Sequence, residues 1–142
     1  MHPNDAGLMI QAVWRGLPTH CPGIQMDLAV AMPNHFHGIV AITRSPRAEP
    51  AGPQEGITQG HGPAAGSLGR IVQIVKSITT HQYVVGVKVH GWQPFPGKLW
   101  QYNYYNHIIR DDDELAILRA YIACNAQKWE LDQLHPTNPL RR

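Results

Sequence analysis

Two cysteines in 142 residues, Cys21 and Cys124, are too few for a disulfide framework or a zinc ribbon, which points to a reducing, cytosolic setting. Long apolar runs are missing too, and the longest fall far short of the ~20 residues of a membrane helix. The first residues, "MHPNDAG", carry neither a basic n-region nor an apolar core, so no secretory leader is expected. Charge of one sign is scarce. Twelve Lys and Arg against ten Asp and Glu leave a net +2, so a nucleic-acid role would have to rest on a local basic patch. No internal repeat is visible. The remaining composition, 43% hydrophobic and 15% charged, suits one globular domain with its own core.

The stretch "NDAGLMIQAVWRGLP" predicts a helix capped by Asn4 or Asp5, with Ile10, Val13, Trp14 and Leu17 on one stripe and Gly16 and Pro18 ending it. "GIQMDLAVA" alternates, which predicts a half-buried strand with Ile24, Met26, Leu28 and Val30 on one face. After a turn at Pro33-Asn34, "HFHGIVAIT" reads as the returning strand of an antiparallel hairpin. The Pro- and Gly-rich segment 44–66 reads as a flexible loop. Ser67 then caps a helix over "SLGRIVQIVKSITTHQY", with Leu68, Ile71, Val72, Val75 and Ile78 on its apolar stripe. "GWQPFPGKLWQYNYYNHIIR" holds two of the four tryptophans and predicts a turn followed by an aromatic-rich strand. "DDDELAILRAYIACNAQKWELD" begins with carboxylates where a helix macrodipole favours them, and Leu115, Leu118 and Ile122 form its stripe. The tail 133–142 is expected to fray. The order helix, strand, strand, helix, strand, helix predicts an α+β domain with helices over a small antiparallel sheet.

Chemistry concentrates in "AMPNHFHGIV". Side chains alternate along a strand, so His35 and His37 share a face and their imidazoles can converge on one ion. Nine histidines in a chain of this size produce roughly half an H-x-H pair by chance, so the motif is weak alone. On the last helix Tyr121 and Asn125 stand at i and i+4, one turn apart on one face. An amide oxygen beside imidazole suits Mg²⁺ or Mn²⁺. A phenol next to such an ion could attack a phosphodiester, with the cation as Lewis acid. Each residue also has an ordinary explanation: the tyrosine at a core rim, the asparagine solvated, the histidines edging the core. Tyr104 and Tyr105, beside His107, are rival nucleophiles, but neighbouring strand residues point to opposite faces and only one could meet the ion.

Four separated stretches, "MPNHFHGIV", "SLGRIVQIVKS", "GKLWQYNYYNHIIRDDDEL" and "YIACNAQKW", together resemble the single-tyrosine HUH transposases of the IS200-like kind. The likeness is greatest to the REP-associated tyrosine transposases of bacteria, and it runs from about Asn4 to Asp132. The resemblance implies a ferredoxin-like antiparallel sheet. It implies that His35 and His37 are metal ligands with Asn125 as the third, and that Tyr121 is the nucleophile. It also implies metal-dependent nicking and strand transfer on single-stranded DNA beside hairpins, through a 5′-phosphotyrosine intermediate. The resembling proteins carry Pro where Ala126 stands, and they open with a further strand where this chain has "MHP", so the expected sheet lacks its usual first strand.

DNA contacts are expected from Arg70, Lys76, Lys88, Lys98 and Arg110 to phosphates and from Trp100 by stacking. The expected partners are single-stranded or hairpin DNA and a second copy of the chain, with no membrane. The expected location is the bacterial cytoplasm, at the nucleoid when DNA is bound. The competing readings are a non-catalytic hairpin-DNA-binding module, truncated or domesticated, and a small zinc protein using H-x-H alone.

Overall fold

The computed structural model describes residues 3–43, 63 and 66–129, so most of segment 44–66 and the tail 133–142 lie outside the described residues. The elements are α1 (Asp5–His20), β1 (Ile24–Ala31), β2 (Phe36–Ile42), α2 (Leu68–His90) and α3 (Asp112–Asn125), an α+β architecture. β1 and β2 pair antiparallel, and among the described residues they form a two-stranded sheet.

Asn4 caps α1, its side chain accepting from the Gly7 amide at 2.9 Å. The helix does not stop at Gly16 or Pro18 but continues to His20. Proline removes one donor in that last turn. The Cys21 amide still closes the turn by donating to the Leu17 carbonyl at 2.8 Å. α2 likewise outruns its expected end by seven residues, because Val84, Val85, Val87 and Val89 only lower helix propensity whereas Gly91, at φ +70°, ends the helix.

The simple alternation expected of β1 is also wrong. Met26 pairs with Val40 and Ala29 with Gly38, so β1 contains one extra residue, a β-bulge. Ala29 therefore continues the face begun by Ile24 and Met26, while Leu28 is exposed. That face meets the core of Trp14, Leu17, Cys21, Ile24, Ile71 and Val75, with Phe36 and Val40 packed against it. Trp14 lies against Phe36 at 5.2 Å between ring centroids. A Cβ on Gly38 would come within 2.5 Å of the Trp14 ring, so only glycine permits this helix-to-sheet approach.

The expected aromatic strand is absent: residues 101–110 form neither helix nor strand. A half-buried strand needs one covered face, yet Tyr102 and Tyr105 are 89% and 98% exposed. Side chains of α2 hold this segment instead. Tyr83 donates its hydroxyl to the Gln93 carbonyl, and the Lys76 ammonium donates to the carbonyls of Gln101 and Tyr102. The Trp100 indole N–H donates at 2.8 Å to the hydroxyl of fully buried Thr79, which itself donates to the Val75 carbonyl at 2.6 Å.

This last bond gives a stability test. Thr79→Val preserves shape but leaves the indole N–H without its acceptor, which is expected to cost ~1–3 kcal/mol. Urea unfolding should show the loss, and the Trp100→Phe background should remove most of it.

Candidate active site

The hairpin turn sets the histidines. Ala31 pairs with Phe36, and the Met32 amide donates to the His35 carbonyl at 2.8 Å, closing a four-residue connection around Pro33-Asn34. Phe36 faces the core, so its neighbours His35 and His37 emerge on the opposite face of the sheet. Their rings stand edge to face with centroids 4.8 Å apart.

α3 covers that opposite face. Asp111 caps it, accepting from the Glu114 amide at 2.7 Å, and Ile122 and Asn125 are its buried residues. Leu115 and Leu118 are half-buried, as their stripe predicts. Arg119 grips Asp27 of the bulge with two hydrogen bonds and so fixes α3 across β1. On the far side of this clamp the Tyr121 ring lies 6.0 Å from His37, at an interplanar angle of 77°. Beyond the helix end, the Lys128 amide donates to the carbonyls of Cys124 and Asn125, which keeps the chain coiled as far as Trp129. Trp129 lies 5.9 Å from the His35 ring. A row of Tyr121, Asn125 and Trp129, spaced one turn apart, thus faces the row of His37 and His35.

Asn125, between the two ring contacts, is 6% exposed, and its buried Nδ2 has no hydrogen-bond partner among the described residues. Half a turn of that amide exchanges nitrogen for oxygen at nearly constant shape. The His35 Nδ1 lies 2.7 Å from Asn34 Oδ1. With its oxygen turned to the ring the Asn34 amide accepts, and this orientation puts the proton on Nδ1 and the lone pair on the buried Nε2. Two imidazoles and an amide oxygen make a donor set that fits a divalent cation such as Mg²⁺ or Mn²⁺. Among the described residues no three His, Cys, Asp or Glu side chains gather into a metal cluster, so a site here depends on the asparagine.

The rival tyrosines are not brought to the histidines. Tyr104 lies by the Lys76 ammonium, 5.8 Å from its ring centroid, and Tyr105 points into solvent. His107 bonds Glu114, whose other oxygen accepts from the Arg110 amide, and these bonds hold the Glu114 carboxyl below its usual range. Of the residues expected to contact DNA, Lys76 is committed to the carbonyls of Gln101 and Tyr102 and Trp100 to Thr79. Arg70 bonds Gln73, and Lys88, Lys98 and Arg110 are exposed. Sequence reasoning gave Asn34 only its place in the turn, and gave no role to Trp129 or the Asp27–Arg119 pair. The i, i+4, i+8 spacing from Tyr121 could have pointed to Trp129; nothing local pointed to the ion pair.

The clamp carries a pH test. Chiefly through its hydrogen bond to Arg119, the Asp27 carboxyl is held below its ordinary value of 3.8. A lowered folded value means that the bond's contribution is complete above the unfolded value and is lost as pH falls through the folded one. Melting temperature should therefore fall more steeply below pH 3.8 in the wild type than in Asp27→Asn. Parallel curves would show that the clamp contributes nothing.

Over 144 residues the chain is 31% identical to an uncharacterized protein of Haemophilus influenzae (strain ATCC 51907 / DSM 11121 / KW20 / Rd), covering 95% of this chain and 72% of that protein. The chain belongs to that protein's family. No family model matches, and no solved structure does. Among the described residues no helix is long and apolar enough to cross a membrane.

Proposed function

We propose that this protein is a metal-dependent, single-strand-specific DNA nickase and strand transferase of the single-tyrosine HUH transposase kind. The observation that carries the reading is the approach of Tyr121 to His37 across two elements distant in sequence, with buried Asn125 one turn further along the same helix face. Tyr121 is 55% exposed, so a phosphodiester can reach its hydroxyl.

Tyr121 is the attacking group. Its oxygen forms a bond to phosphorus as the bond to the 3′ oxygen breaks; the phenol gives up its proton and the leaving 3′ oxygen gains one. The product is a 5′-phosphotyrosine and a free 3′-hydroxyl. The linkage keeps the phosphodiester bond energy, so a later 3′-hydroxyl can rejoin the strand without ATP. His35, His37 and Asn125 would hold the cation, which when bound supplies Lewis-acid stabilisation to the phosphate oxygens. The Asp27–Arg119 clamp sets the height of Tyr121 above the sheet. A helix keeps the phenol and the Asn125 amide at a fixed spacing, as chemistry at one phosphorus requires. Phosphates of the single strand beside the hairpin would meet the exposed cations Lys98 and Arg110, in the bacterial cytoplasm.

Incubation with a labelled single-stranded oligonucleotide carrying a hairpin tests the reading. A denaturant-resistant protein–DNA adduct should form in Mn²⁺ and vanish in EDTA. Undiminished cleavage in EDTA overturns the metal reading. Binding without any adduct favours the non-catalytic hairpin binder.

A further inference from the structure

We propose that Asn34 is the positioning residue that selects the tautomer of His35 and so aims its Nε2 lone pair at the cation; the role toward metal rests on the site reading above. Among the described residues, Asn34, His37 and Trp129 lie at the His35 ring. His37 meets it edge to face at 4.8 Å, and Trp129 lies 5.9 Å away at 42°. Ring contacts of this kind fix the plane of an imidazole but do not choose which nitrogen carries the proton. A directional hydrogen bond does choose, and the one described at Nδ1 runs from that ring nitrogen to the accepting Asn34 Oδ1 at 2.7 Å.

The backbone brings the Asn34 amide to the ring. Asn34 sits in the turn closed by the Met32 amide and the His35 carbonyl, and Pro33 fixes φ just before it. The choice matters because a free imidazole in water prefers the proton on Nε2, the nitrogen that must be bare to ligate here. Asn34 reverses that preference. It is a neutral counterpart of the carboxylate that often backs a ligating histidine.

Nitrogen-15 NMR of the metal-free protein tests this at pH ~8, above the usual imidazole value. The His35 ring signals are identified by their loss in His35→Gln. Wild type should show Nδ1–H, Asn34→Ala should shift the proton to Nε2, and Asn34→Asp should restore Nδ1–H. Calorimetric titration with Mn²⁺ alone should show an affinity weaker by ~10–100-fold in Asn34→Ala and no such loss in Asn34→Asp. The same tautomer in wild type and Asn34→Ala, or equal Mn²⁺ affinity in the two, overturns the role. Equal Mn²⁺ affinity in wild type and His35→Gln would instead sink the metal site, and the NMR comparison alone would then decide whether Asn34 selects the tautomer.

Discussion

The Tyr121→Phe variant is expected to form no covalent DNA adduct while binding the same oligonucleotide and the same metal as the wild type. The change deletes one hydroxyl from a side chain that is 55% exposed, so fold and stability should barely move. The ring that meets His37 edge to face remains, and so does the packing of α3 through Ile122. Only the nucleophile is gone. Loss of a nucleophile lowers rate by ~10³-fold or more, and a covalent intermediate cannot form without it. Denaturing electrophoresis of the trapped complex gives the yield, and digestion should place the nucleotide on the peptide containing "AYIACNAQK". Tyr104→Phe and Tyr105→Phe should capture DNA normally, because neither ring approaches the histidines among the described contacts. An adduct on Tyr104 or Tyr105, or full capture by Tyr121→Phe, would refute the assignment.

Alanine at His35 or His37 should abolish nicking with an equally large effect and a different signature. Each imidazole supplies one of three proposed donors, and its loss should exceed the ~10–100-fold that attaches to a partner hydrogen-bonded behind a ligand. DNA binding should persist, since it draws on cations elsewhere on the surface. Added Mn²⁺ should rescue neither variant fully, whereas it should restore wild type stripped by EDTA. His37→Ala also removes the ring against Tyr121. Metal titration separates the two roles: both variants should lose Mn²⁺ affinity, and Tyr121→Phe should keep it. Nicking by either alanine variant at the wild-type rate would remove the histidines from the mechanism.

Local information fixed much of the molecule. Asn4, Ser67 and Asp111 cap the helices as their side chains allow, because a cap bonds an amide three residues away and needs nothing from the rest of the chain. The hairpin and the shared face of His35 and His37 follow from the same short-range rule, strand alternation after a tight turn. The pairing of Tyr121 with Asn125 needed only the helical repeat. Where sequence reading failed, a distant partner decided. The bulge reverses alternation in β1 so that Ala29 as well as Met26 meets the core, a demand set by α1 and α2. The "YNYYNHII" segment has the composition of a strand, but a strand also needs a neighbouring ladder and a covered face. Lys76 and Thr79 hold the chain along α2 instead. Composition marked Lys76 and Trp100 as surface groups for DNA, and only the packed structure shows their polar atoms committed to the protein itself.

The candidate site divides in the same way. Each half, H-x-H on one hairpin and Tyr-x-x-x-Asn on one helix, is legible alone because its geometry is set within a turn or a strand. That the halves face each other is not legible in either. It depends on α3 lying over the sheet face opposite the core, where Arg119 of α3 holds Asp27 of the bulge across a long sequence separation. Such a contact leaves no local pattern, since either residue alone reads as an ordinary surface charge. The sequence by itself determined which side chains could do the chemistry; the tertiary structure decided that they meet, because long-range packing and one ion pair, not propensity, set the position of α3.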